Sequence, residues 1–383
     1  MKKMFFFAAV AGVAFASCTK DVDAPVNNVV NDEEAIVFQL GNPLGVSVTR
    51  GQGAVGGTEA EGNAWNGETL NVYMFEEGTM DLALNESKNN APYFENATVT
   101  APKGLASDVA TDVRGSQYFP SSGDFDFFAY HGDDAVVETP VLNGNAYTVP
   151  VTIDGTQDLM VAKAALNGDD EQIIANYDQA NPDKTFDRTR IYSAYAARRG
   201  VNPRLTFKHL LSRFVFQAVA AEPDAAGVDG IHITAIEVEA PSTGVMTVAA
   251  LDANALGVAF DQDNVVPMNL KSRTVNATDD SFTMNDALDI VDLTEADYTR
   301  LGESLLLPAG ATEYTANIHY VQYKNGEAIR DTYTAPIVLK DNKAFEAGYQ
   351  YKVNITVYGF KEIVLTADLE AWKEGEDIPF DGE

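Results

Sequence analysis

The chain has 383 residues, 45% of them hydrophobic, and it carries 57 acidic against 26 basic side chains, a formal net charge of -31. A field of that sign repels nucleic acid and anionic membrane surfaces, so neither is expected as a partner. The length suffices for more than one core, and the single cysteine, Cys18, leaves no intramolecular disulfide to hold those cores together.

Residues 1–17, MKKMFFFAAVAGVAFAS, begin with the positive pair Lys2 and Lys3 and continue as an apolar run too short to span a bilayer. They read as a signal peptide. The small residues Ala16 and Ser17 precede Cys18, and the arrangement resembles a bacterial lipoprotein lipobox with Phe15 in place of the usual Leu. That resemblance makes Cys18 the lipidated, fatty-acylated first residue of the exported chain, anchored at the outer membrane. Residues 19–34 are polar and read as a tether. AIVFQL then alternates, with Ile36, Phe38 and Leu40 on one face, which predicts a short strand. A second extended run, with Val46 and Val48, ends at Arg50. Residues 51–64 hold five glycines and little apolar content.

Order is expected again from Trp65. ETLNVYMF alternates as a strand, GDFDFFAYHG places Phe125, Phe127 and Ala129 on one face, and DLMVAKAAL reads as a strand running into a loop. Residues 167–204 are polar and read as a long loop with a short helix near Gln172 to Gln179, marking a domain boundary. A second set of strands follows in RLTFKHLLSRFVFQAV, IHITAIEVE, SLLLPAG, EYTANIHYVQY and APIVL. NDALDIVDLTEADYTRLG is the one fair helix candidate of this half. The clearest alternation is GYQYKVNITVYG, with Tyr349, Tyr351, Val353, Ile355 and Val357 sharing a face. KEIVLTADLEAW repeats it with Ile363, Leu365, Ala367, Leu369 and Ala371. The pattern predicts an all-β chain of two sandwiches in series, residues 51–203 and 204–383, with few short helices.

Motifs of catalysis do not assemble. Gly51, Gly53 and Gly56 spell G-x-G-x-x-G, but no helical period follows them, so no helix N-terminus faces a pyrophosphate. His131, His209, His232 and His319 stand singly, without metal-ligand spacing, and His209 reads as a satisfied, half-buried residue. Pairs such as Asp133/Asp134 are inevitable in so acidic a chain. No enzyme, cofactor or metal is expected. A monomeric surface lipoprotein that binds glycan or host protein through exposed aromatics such as Tyr93, Phe94 or Tyr192 stays open as a function class.

Several phrases, in order along nearly the whole chain, resemble the fimbrillin, or type V pilin, family of Bacteroidetes surface proteins. They are the lipobox at Cys18, the strand ending at Arg50, NVYMF (71–75), YFP through GDFDFFAYH (118–131), QDLMVAK (157–163), LTFKHLLSRFVF (205–216), LLLPAG (305–310), AGYQYKVNITV (347–357) and ADLEAW (367–372). The resemblance implies two tandem transthyretin-like β-sandwich domains and export as a lipoprotein to the outer membrane and cell surface. It implies that an arginine-specific protease cuts between Arg50 and Gly51 and releases residues 18–50 with the first strand. The gap then accepts a strand from another fimbrial subunit, and a polymer grows. The implied donor lies within Leu365 to Phe380, with Leu365, Ala367, Leu369, Ala371, Ile378 and Phe380 as inward candidates. Chain chemistry agrees with the cut: glycines beyond Arg50 keep the bond supple, and no Lys or Arg follows until Lys88. The acidic tail KEGEDIPFDGE alternates only at Ile378 and Phe380, so a tip or accessory subunit that accepts a strand without donating one is the alternative.

Overall fold

The computed structural model describes residues 35–41, 64–76, 94–101, 103–106, 111–118, 125–165, 179 and, with short interruptions, 204–370. Within them the chain is all-β, apart from two short 3₁₀ turns at Asp133–Ala135 and Pro223–Ala225 and the helical residue Gln179. The expected helix near Gln172 to Gln179 lies outside the described residues apart from Gln179.

The largest sheet runs in the order Phe94–Thr100, Thr69–Glu76, Phe125–His131, Met160–Ala165, Arg204–Thr206, Ala35–Gly41, Thr111–Tyr118, with Lys208–His209 also paired to Met160–Ala165. Three four-stranded sheets follow. One is Thr299–Pro308, Leu211–Ala220, Gln350–Gly359, Glu362–Glu370; the next is Val265–Asn269, Ile231–Pro241, Glu313–Lys324, Glu327–Val338. The last is Gly257–Phe260, Thr243–Ala250, Ala146–Thr152, Val141–Asn143. Pairing is antiparallel except where Ala35–Gly41 meets Arg204–Thr206 and where Leu211–Ala220 meets Gln350–Gly359.

Alternation along the strands builds two cores. In Thr69–Glu76, Leu70, Val72 and Met74 enter one cluster while Tyr73 and Phe75 enter the other. The strand Phe125–His131 does the same. Phe125, Phe127 and Ala129 share a face as predicted, but Phe128 and Tyr130 are also buried, on the opposite side. A strand buried on both faces loses the polar half of its alternation, which is why its sequence reads as nearly continuous apolar residues. The larger core stacks Phe214 against Phe345, Tyr314 and Tyr351, with ring centroids 4.9, 5.7 and 5.5 Å away.

Other departures from the sequence reading have local causes. Residues 286–298 form no helix; Leu288 and Leu293 both turn into the larger core at a spacing that no helical face provides. Side-chain oxygens take the backbone donors there, Ser272 Oγ accepting from Asp289 N–H and Thr294 Oγ1 from Asp297 N–H. Tyr349 does not join the buried face of Tyr351, Val353, Ile355 and Val357; it is 40% exposed, because the chain turns at Gly348 (φ +76°) and enters the strand only at Gln350. Hydrogen-bond ladders join residues on either side of residue 204. Ala146–Thr152 pairs with Thr243–Ala250, and Arg204–Thr206 with Met160–Ala165. Periodicity identifies a strand; it does not identify its partner.

Candidate functional site

The first strand, Ala35–Gly41, has the structural setting that matters most. It lies inside the sheet rather than at an edge. On one side Gln39, Leu40 and Gly41 pair in parallel with Arg204, Leu205 and Thr206. On the other, Val37, Phe38, Gln39 and Leu40 pair antiparallel with Arg114, Val113, Asp112 and Thr111, beyond a register shift that precedes Val37. Among the described residues, Thr111–Tyr118 has this strand as its ladder partner, and Arg204–Thr206 has it and Met160–Ala165. Taking the first strand away would therefore leave open backbone donors and acceptors on both flanks of a gap, a strong template for another strand. Cys18, Arg50 and Gly51 lie outside the described residues, as do the glycines at 53 and 56.

The C-terminal candidates divide. Leu365, Ala367 and Leu369 belong to Glu362–Glu370, an edge strand whose register sets them opposite Ile355, Val353 and Tyr351 of the chain's own sheet. Leu365 is half-buried against the larger core. These three positions are already paired. Ala371, Ile378 and Phe380 lie outside the described residues, as do Tyr93 and Tyr192.

A polar cluster that the sequence reading treated as scattered residues is assembled beneath the strand ends. Met160 sits in register between His131 on one neighbouring strand and His209 on the other. His209 Nδ1 is 2.7 Å from Asp158 Oδ2, both side chains almost wholly buried. His131 Nδ1 is 3.0 Å from the Thr69 carbonyl oxygen, and its Nε2 is 3.0 Å from Asp133 Oδ1. Asp133 Oδ2 accepts from the Asp158 backbone N–H, and Gln157 Nε2 donates to Asp134 Oδ1. Burial alone would lower the His131 pKa. The Asp133 carboxylate, the Thr69 carbonyl and Asp158 outweigh it and push the ring up to about 9. His131 and Asp133 border a cavity of about 590 Å³, whose rim includes Glu68, Asp134 and Glu138. No single signal in the sequence marks this cluster, because its members come from segments far apart along the chain. His232 and His319 stand apart from it, 3.7 Å from Asp292 and 3.6 Å from Glu237.

The model of a family described as fimbrillin-like matches residues 58–372. Among solved structures, a candidate cell adhesion protein from Bacteroides uniformis aligns at 15% identity over 88% of this chain and 98% of its own, with a TM-score of 0.46. A second, from Bacteroides ovatus, aligns at 13% identity over 90% and 100%, with a TM-score of 0.43. The fimbrial anchor protein Mfa2 from Porphyromonas gingivalis aligns at 11% identity over 88% and 98%, with a TM-score of 0.30. No curated protein matches the chain.

Proposed function

The chain belongs to the fimbrillin-like family, and from that premise we propose that it is a structural subunit of a cell-surface fimbria that supports adhesion. It is exported as a lipoprotein precursor with Cys18 acylated and is held at the outer membrane. A surface protease specific for arginine cuts after Arg50, the first strand leaves, and a strand from another subunit takes its place.

The observation that carries this reading is the internal position of Ala35–Gly41, flanked by a parallel and an antiparallel neighbour. An edge strand could be shed with little consequence. An internal one leaves a slot that binds an extended segment on both sides, and such strand addition is a known recognition mode. Refilling the slot with several inward apolar residues is worth roughly 1.5–3 kcal/mol each by burial. Ladder bonds add about 0.5–1.5 kcal/mol apiece. The gross gain exceeds about 8 kcal/mol. Donor and acceptor surfaces differ, so the contact is heterologous, and repeated without closure it yields a filament.

Because Leu365, Ala367 and Leu369 are held in the chain's own sheet, the donor is assigned to residues 371–383, which follow that strand in the sequence. The same pairing favours one second reading, a tip or accessory subunit that accepts a strand and donates none.

A synthetic peptide of residues 35–50 tests the slot. Added in excess to protein already cut after Arg50, it should reoccupy the gap and suppress heat-resistant ladders in gels. Ladders undiminished at saturating peptide would refute the slot as the site of assembly.

A further inference from the structure

We propose that the buried His131–Asp133 and His209–Asp158 pairs form a proton-gated clamp that fastens the Lys208–His209 strand and the turn at Asp133–Ala135 to the Met160–Ala165 strand, and that it opens on the alkaline side. The inference is independent of how the subunit assembles.

The geometry around His131 favours a cation. Nδ1 is hydrogen-bonded to the Thr69 carbonyl at 3.0 Å, while Nε2 lies at ion-pair distance, 3.0 Å, from the Asp133 carboxylate without a well-directed hydrogen bond. A neutral ring donating to Thr69 would set an Nε2 lone pair against that carboxylate; an imidazolium sets positive charge there. Removing the proton turns a lone pair toward the Thr69 oxygen or toward the Asp133 carboxylate, with the side chain 5% exposed. A buried polar group stripped of its partner is costly.

The strain spreads along a continuous path. Asp133 uses its second oxygen to accept from the Asp158 backbone N–H, and Asp158 pairs with His209. His209 sits on the two-residue strand Lys208–His209, held to Met160 and Val161 by the ladder and, just beyond it, by the hydrogen bond from Leu210 N–H to the Leu159 carbonyl. The His209–Asp158 pair adds a side-chain anchor to these two ladder residues. Asp133 itself holds a left-handed backbone (φ +45°), a conformation that persists only when its surroundings enforce it.

The charged and titratable groups facing His131 are Asp133, Asp158, Glu68, Asp134, Glu138 and Tyr130, with His209 across Met160. The carboxylates among them make the local field favour the cation; Tyr130, pushed up to about 12 by burial, stays neutral. The folded pKa of His131, about 9, lies above the ordinary 6.5. Its stabilisation is therefore complete below about pH 6.5 and is lost as pH rises through 9. His131 and Asp133 border the cavity of about 590 Å³.

The ε-methyl resonance of Met160 reports the first event, and lysine-specific proteolysis at the exposed Lys208, measured against the exposed Lys340, reports the second. In the full chain the methyl should titrate with a midpoint near pH 9. Relative cleavage at Lys208 should rise on the order of a hundredfold between pH 6.5 and 10. In His131→Gln the methyl should be flat and Lys208 should be cut rapidly at every pH. Asp133→Asn keeps the ring but removes the carboxylate, so its midpoint should fall toward the ordinary histidine value. A flat Met160 profile in the unaltered chain overturns the clamp, as does pH-independent cleavage at Lys208. An Asp133→Asn midpoint that stays where the unaltered chain has it also overturns it.

Discussion

Arg50→Ala is expected to leave the chain uncut at residue 50 and to remove polymer ladders from surface-extracted protein. Arg50 is the first arginine of the sequence, and no basic residue follows it until Lys88. A protease specific for arginine thus has no nearby substitute. With the bond intact, the first strand remains tethered beside its own slot. Its effective concentration there exceeds that of any donor on another molecule. The gross stabilisation of about 8 kcal/mol or more that a donor gains in an empty slot corresponds to roughly six orders of magnitude in association constant. A filled slot withholds nearly all of it. Polymer yield should therefore fall by well over about tenfold, which gel densitometry of sheared material will show. Ladders at the natural yield from Arg50→Ala would contradict the proposal.

Phe214→Ala is expected to cost about 3–5 kcal/mol of folding stability and to lower Tm by on the order of 10 °C. The Phe214 ring is 0% exposed and is enclosed by three aromatic rings, Phe345, Tyr314 and Tyr351. Truncation removes the transfer gain of the ring and three favourable ring contacts, and it leaves a void that the flanking strands cannot close. Those strands are fixed on both sides, Thr299–Pro308 antiparallel and Gln350–Gly359 parallel to Leu211–Ala220. Tyr349→Ala is the control; with its side chain 40% exposed, the change should stay within about 0.5 kcal/mol. Thermal unfolding followed by circular dichroism measures both. Equal shifts for the two variants would mean that this aromatic cluster does not dominate the core.

The strands were legible in the sequence wherever one face is buried and the other wet. Tyr351, Val353, Ile355 and Val357 are buried while Lys352, Asn354 and Thr356 are partly exposed, as the alternation requires. The first strand was legible as well, because Ile36, Phe38 and Leu40 alternate before a turn signal. Its internal place between Thr111–Tyr118 and Arg204–Thr206 was not, since residues more than 160 positions apart along the chain set it. The pairing of Ala146–Thr152 with Thr243–Ala250 was hidden for the same reason. Local propensity misled at residues 286–298, where a helix-like composition yields to Leu288 and Leu293 reaching the core and to side chains bonding their neighbours' backbone. The histidine cluster was illegible because strand pairing across distant segments sets His131 and His209 on either side of Met160 and only then brings Asp133 and Asp158 to them.

A reversible lock on the first strand tests the central claim most directly. Phe38 and Val113 are register partners across an antiparallel pair, where Cα atoms stand roughly 4.5–5.5 Å apart, within the range a disulfide spans. Cys18 is the only native cysteine, so the double variant Phe38→Cys, Val113→Cys adds one pair. Oxidised and cut after Arg50, it should form no ladders, and reduction should restore them to the level of the unaltered chain. Ladders of undiminished intensity from the oxidised, cut protein would contradict the account, because the slot would then still hold its own strand.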